Sequence, residues 1–457
     1  KLCACGRKRG REEGGAAAAE GAEGAETPRR EPVKVKGIYV SGPVAGIARM
    51  DELIELVDQT ELNAVVIDIK NDEGKVTYDM QSEQVLEIGA SVNYISDIEA
   101  LVTKCKEKNI YLIARIVAFR DPYLAEQKPE WAVHTKEGAV FRDKSGLAWV
   151  NPYERGVWDY LAEIASEAAA VGFDEVQFDY IRFSTDVKAD EVDYGPEAET
   201  VGKIDIITEF TQYIYEKLRP LGVYVAADVF GTVIENETDQ QIVGQDYVKM
   251  AEYLDYICPM IYPSHYRNGS YGIAVPDADP YHTIYGACSA SVQELEALPE
   301  ENRAHVRAWL QSFTASWVPG HISYGPQQIR AQIKGAYDAG YDEWILWNAA
   351  VKYQRDSLLT DEEAEAERQQ WETEKETKKQ EAAAEETAGE QGEATQEETA
   401  GQQGEATQEE TAGQQEQVPQ EETPQDKTAG TVPEGIAGQP TDTDPDASTG
   451  QQAVTAQ

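Results

Sequence analysis

Between Val33 and Tyr353 the chain alternates two hydrophobic patterns. Eight short apolar runs, rich in Val, Ile, Tyr and Phe, read as strands: VKGIYV (35–40), AVVIDIK (64–70), YLIARIVAF (111–119), EVQFDYIRF (175–183), VYVAADVFG (223–231), YICPMIYP (256–263), HVRAWLQSF (305–313) and EWILWN (343–348). Most of the gaps hold segments with apolar residues at helical spacing and charges opposite, such as MDELIELVDQT, VWDYLAEIASEAAAVG and PQQIRAQIKGAYDAG. Strand–helix alternation calls for a parallel sheet. Eight such units in about 320 residues predict a (β/α)8 TIM barrel with inserted loops. An open doubly wound sheet is the rival, but no glycine-rich phosphate loop follows the first strand.

A barrel carries its active site at the C-terminal ends of its strands, and alternate strand residues point inward. The helix-facing row Val65, Ile67 and Ile69 sends Asp68 and Lys70 inward. The same parity sends in Gln177 and Asp179, Ala226 and Asp228, then Cys258, Met260 and Tyr262, and finally Arg307, Trp309 and Gln311. Arg115 and Trp347 stand near the ends of strands three and eight. A buried carboxylate costs several kcal/mol unless paired, so Asp179 inside an apolar strand demands a reason. One inward charge is explained by a structural ion pair. Convergence of Asp68, Lys70, Arg115, Asp179 and Asp228 on one end, ringed by Tyr262, Gln311 and Trp347, predicts a functional pocket.

Composition adds the termini. The 457 residues carry a formal charge of −44, unevenly spread. From Asp361 onward there are 26 acids against 5 bases, and GEATQEETAGQQ at 392–403 repeats at 404–415. Such a tail cannot bury enough apolar surface to order itself. The expected plan is a flexible start at 1–31, a barrel at 32–358 and a disordered acidic tail at 359–457. Acidity of both tail and core argues against nucleic acid. Leu2-Cys3-Ala4-Cys5-Gly6 resembles a bacterial lipoprotein box, which implies lipidation of Cys5 and an extracellular, cell-surface protein. No stretch is long and apolar enough to span a bilayer, so membrane contact is expected through that anchor alone. A monomer is expected. Cys105, Cys258 and Cys288 show no metal or disulfide spacing.

Two carboxylates on adjacent strands, backed by cations and aromatics, fit glycoside hydrolysis, which needs one carboxylic acid and one carboxylate. Strands lie ~4.8 Å apart, so Asp179 and Asp228 suit the ~5 Å separation of a retaining pair. There is no HExxH, no GxSxG and no calcium loop; Asp68, Asp72 and Glu73 form a weaker, metal-holding reading. No cofactor is implied.

The segments VKGIYVSG, VVIDIKNDEG, IARIVAFRDPYLAEQKPEWAV, VNPYERGVWDY, EVQFDYIRF, VAADVFG and CPMIYPSHY resemble the bacterial DUF4015 family of TIM-barrel glycosyl hydrolases over about 320 residues. Comparison with α-amylase-like enzymes, whose strand-four Asp is the nucleophile and whose strand-five acid protonates the leaving group, implies those roles for Asp179 and Asp228. Chitinase-like enzymes end strand four in DxxDxDxE; here Gln177 and Ile181 stand where an Asp and the catalytic Glu belong, which argues against that mechanism despite the chitinase-like Met260-x-Tyr262 of strand six. A cellulase-type plan fails because strand seven ends in Gln311. The resulting expectation is a glycoside hydrolase acting on a poly- or oligosaccharide. Asp68, Lys70, Arg115, Arg182, Tyr262, Gln311 and Trp347 are expected to orient sugar and carboxylates. The alternative is a non-catalytic carbohydrate- or wall-binding barrel.

Overall fold

The computed structural model describes residues 31–188, 191–377 and 380. Eight parallel strands close into a barrel: β1 (Lys36–Val40), β2 (Ala64–Lys70), β3 (Tyr111–Val117), β4 (Glu175–Asp179), β5 (Tyr224–Phe230), β6 (Tyr256–Ile261), β7 (His305–Val306 and Ala308–Gln311, interrupted at Arg307) and β8 (Trp344–Trp347). Each pairs with its sequence neighbours, and β8 pairs with β1 to close the ring. Closure removes every edge, so these near-continuous apolar strands expose no unpaired backbone. The expected TIM barrel is the observed fold.

The major covering helices are α1 (Arg49–Asp58), α2 (Ile98–Glu107), α3 (Arg155–Val171), α4 (Lys203–Leu218), α5 (Tyr247–Ala251), α6 (Pro280–Leu295) and α7 (Pro326–Asp338). Their buried faces are the apolar stripes of the sequence, for example Leu53, Ile54 and Val57 of α1. Carboxylates begin several of them. Asp97 accepts from Ala100 N at 2.9 Å and Asp246 from Lys249 N at 3.0 Å, satisfying donors that a helix start leaves open.

Two charged layers lie inside the barrel, and they differ. At the N-terminal end Arg307 bonds Glu175 at 2.7 Å and Glu343 at 3.2 Å, and its guanidinium lies 3.9 Å from the centre of the Tyr256 ring. Arg307 and Glu175 are wholly buried and close the floor. Arg307 is therefore structural, part of the barrel floor at the end opposite the C-terminal mouth.

Strand β2 departs from the expected parity. Asp68 pairs with Arg115, but Lys70 pairs with Ile116, so two β2 residues span one step of β3. This bulge shifts Lys70 off the inward row. Its ammonium sits instead 2.7 Å from Asp121 and donates to Val117 O, fully buried.

Beyond the barrel, residues 361–377 form a helix, α8, where the sequence suggested structureless tail. Glu367 pairs with Arg330, and Trp371 packs 5.8 Å from the Tyr337 ring. Arg330 also bonds Glu61, which precedes β2, so α8 lies toward the N-terminal end of the barrel, away from its mouth. One tryptophan and a spaced set of charges are enough to dock a helix whose composition is otherwise tail-like. The start to residue 30, with Cys5, and almost all of the tail beyond 377 lie outside the described residues.

Candidate active site

At the C-terminal mouth lies an open cavity. Its base is built on the strand ends. Arg115 of β3 reaches Asp179 with Nε at 3.0 Å and Nη2 at 2.6 Å, both on Oδ2. Its Nη1 donates to Asp68 at 2.7 Å, while Tyr39 OH donates to the other Asp68 oxygen at 2.5 Å. Asp68 itself is buried beneath the cavity rather than lining it. Burial raises its pKa to about 6, against the opposing pull of Arg115. The Arg115 guanidinium also faces the Tyr39 and Trp347 rings at 5.7 and 5.5 Å.

Strand β4 ends at Asp179 because the next residue turns. Tyr180 has φ 54°, a left-handed conformation uncommon outside glycine and asparagine. The turn brings Tyr180 N within 2.6 Å of Asp179 Oδ1. Backbone strain of this kind persists where neighbours over-determine it. Here Arg120 donates to Tyr180 OH at 2.8 Å, and Trp149 packs edge-on against the ring.

Asp228 stands in a different environment. The register Gln177 with Ala226 and Phe178 with Ala227, continued one step, sets Asp228 beside Asp179 on the neighbouring strand. Asp228 is 1% exposed. Its Oδ1 accepts from Gln177 Nε2 and Trp309 Nε1, each at 2.6 Å. Burial, and then the charge of Asp179, push its pKa well above the usual carboxylate range, against those two hydrogen bonds. Two neighbouring acids thus differ sharply: one faces a guanidinium, the other is dry and disposed to keep its proton.

The sequence over residues 37–353 matches the family DUF4015, described as "Putative glycosyl hydrolase domain". The chain belongs to that family. A hypothetical protein from Ruminiclostridium thermocellum ATCC 27405 is 39% identical, covering 42% of this chain and 97% of that one, with TM-score 0.39. The glycoside hydrolase domain of PgaB (BpsB) from Bordetella bronchiseptica shares the fold at TM-score 0.51 and 12% identity, over 70% of this chain and 95% of that one. The α-galactosidase TtGalA of Thermus thermophilus aligns at TM-score 0.44 and 14% identity, over 74% and 62%. No protein with a curated description matches the sequence.

In this DUF4015 domain the mouth brings together Asp179, Asp228, Arg115, Arg182, Tyr262 and Trp347. Three expected residues do not line it: Asp68 lies buried beneath it, and Lys70 and Gln311 are drawn elsewhere. Lys70 is withdrawn by the bulge, and Gln311 is spent on loop structure: its amide donates to Asp277 and Phe313 O, and its oxygen accepts from Ser264 N. Arg182 lies against three rings, 5.1 Å from Trp149, 4.9 Å from Tyr180 and 4.5 Å from Phe230.

Several lining residues escaped the strand-parity reading because loops supply them. Arg120, Asp143 and Trp149 come from the long β3–α3 excursion, and His265 from the turn after β6. The FRDP and PSHY segments directly follow strand ends, which was the available signal. His265 Nδ1 lies 2.9 Å from Ser264 Oγ, and burial lowers its pKa to about 4, so the ring is neutral at pH 7. Among the described residues no group of three or more His, Cys, Asp or Glu is arranged to hold a metal; Asp68 is instead committed to Arg115 and Tyr39.

Proposed function

We propose that this glycosyl hydrolase domain cleaves a poly- or oligosaccharide, with Asp228 as general acid/base and Asp179 as nucleophile or stabiliser of the oxocarbenium-like transition state. The observation that carries the reading is the contrast between adjacent acids. Arg115 presents two N–H donors to Asp179, the arrangement that favours a carboxylate. Asp228, buried beside it, holds a proton to give to a leaving oxygen. Adjacent parallel strands favour the close spacing of a retaining pair, at roughly 5 Å, over the wider inverting one. Asp68 and Tyr39 act through Arg115 and are positioning residues. Tyr262, Trp149, Tyr180 and Trp347 line the cavity with aromatic surface, which suits the apolar face of a pyranose. A monomeric extracellular domain tethered through Cys5 is the setting we propose, on the strength of the sequence alone.

The test is a rate comparison on substrates drawn from a panel of glycans and aryl glycosides. Asp179→Asn should abolish turnover while leaving fold and sugar binding intact. Asp228→Asn should lose about 10²–10⁴-fold on natural sugars but far less on an activated aryl glycoside, whose leaving group needs little protonation. In the wild type, activity should fall as pH rises through the Asp228 pKa, because the general acid must be protonated. Full turnover by Asp179→Asn refutes the assignment and passes the role to another acid, Asp68 first; sugar binding by the wild type without turnover of any substrate favours a carbohydrate-binding barrel.

A further inference from the structure

Gln311, excluded from the mouth, pins the loop between β7 and α7, and that loop carries aromatic surface. Tyr262 lines the cavity and meets Phe313 edge-on with ring centroids 6.0 Å apart. Phe313 in turn stacks on Trp317 at 6.0 Å and 19°. Trp317 is 43% exposed, among the most exposed large apolar side chains of the described residues. An isolated surface tryptophan needs no explanation. This one is the outer end of a ring-to-ring series that begins in the catalytic cavity.

The platform is also held. Gln311 Nε2 donates to Phe313 O, and Asp277 accepts from Gln311 Nε2 at 3.0 Å and from Ile322 N at 3.3 Å. Tyr324 donates through its hydroxyl to Asp277 O at 3.0 Å and through its backbone to Thr314 Oγ1 at 3.0 Å. Ala315, between the two rings in sequence, is fully buried and anchors the loop. A loop tied at this many points presents its rings without an ordering cost at binding.

We propose that Phe313 and Trp317 form a distal sugar subsite, so that the substrate is an extended chain of pyranose units. Two steps of 6.0 Å place Trp317 no more than about 12 Å from Tyr262. Neither Phe313 nor Trp317 lines the cavity that holds the first pyranose, and that bound keeps Trp317 within reach of a later unit on the same chain. The exposed ring surface suits the apolar C–H face of a pyranose. The proposal rests on the glycosidase reading for what occupies the cavity, but its own readout is binding.

The experiment is affinity electrophoresis of the full chain in gels containing hydroxyethylcellulose, glycol chitin, xylan or soluble starch, with Trp317→Ala and Trp317→Phe alongside. Rates on p-nitrophenyl monosaccharides are measured in parallel. Wild type should be retarded by at least one polymer. Trp317→Ala should weaken that binding about tenfold, and Trp317→Phe should restore much of it. Rates on aryl monosaccharides, which stop short of the platform, should be unchanged by either substitution. Equal retardation of Trp317→Ala and wild type, or no retardation of wild type in any gel, overturns the subsite. Polymer binding that depends on Trp317, without turnover of any glycoside, sustains the subsite and defeats the catalytic reading instead.

Discussion

Replacing Asp228 with Asn should stabilise the protein while disabling it. Asp228 is buried, and its pKa is raised first by burial and then by the charge of Asp179. The unfolded chain exposes an ordinary aspartate with a pKa of ~3.9. Between that value and the folded pKa the native state holds a proton that the unfolded state releases. Stability from this group is therefore fully present below pH ~3.9 and declines as pH rises, the loss being complete above the folded pKa. For as long as the folded state keeps the proton, each pH unit above ~3.9 costs ~1.36 kcal/mol, and at pH ~3.9 the cost is nothing. Asn cannot titrate, and its oxygen can accept from both Gln177 and Trp309 as the acid does. Its amide brings an extra buried donor, an offset of about 1 kcal/mol. Asp228→Asn should then gain on wild type as pH rises above ~3.9, at a slope of up to ~1.36 kcal/mol per pH unit, with the gain shrinking to zero or slightly below near pH 4. Urea unfolding at several pH values, with the m-value checked for constancy, measures this directly. A difference that does not change with pH, or a variant less stable at pH 7 than at pH 4 relative to wild type, would refute the protonated Asp228 on which the catalytic assignment depends.

Two further outcomes follow from the barrel's interior. Arg307→Met should strand Glu175 and Glu343 at the floor and cost about 3–5 kcal/mol at neutral pH, while the kcat of the folded fraction stays near wild type; urea unfolding and active-site titration separate the two. Gly231→Ala puts a methyl group 2.7 Å from Met260 O and 2.4 Å from Tyr266 OH at the cavity edge, so it should cost about 1–3 kcal/mol and lower turnover as the ends of β5 and β6 move apart, both read by thermal unfolding and steady-state kinetics.

Local pattern determined the barrel. Period-two and period-3.6 hydrophobicity are properties of single segments, and eight alternations leave few topologies open. Inward parity was equally local wherever strands are regular, so Asp179, Asp228, Arg115, Tyr262 and Trp347 could be placed at the mouth from their positions in the strands. Tertiary structure decided the exceptions. The bulge in β2 depends on register against β3, which no residue of β2 encodes alone, and it removes Lys70 from the site. Arg307 and Arg115 are both inward arginines; only the acids contributed by distant strands make one a floor and the other a partner of Asp179. Gln311 was drawn into loop structure by Asp277, 34 residues away. The raised pKa of Asp228 likewise belongs to the assembled barrel, since desolvation and neighbouring charge exist for a side chain only once the other strands surround it.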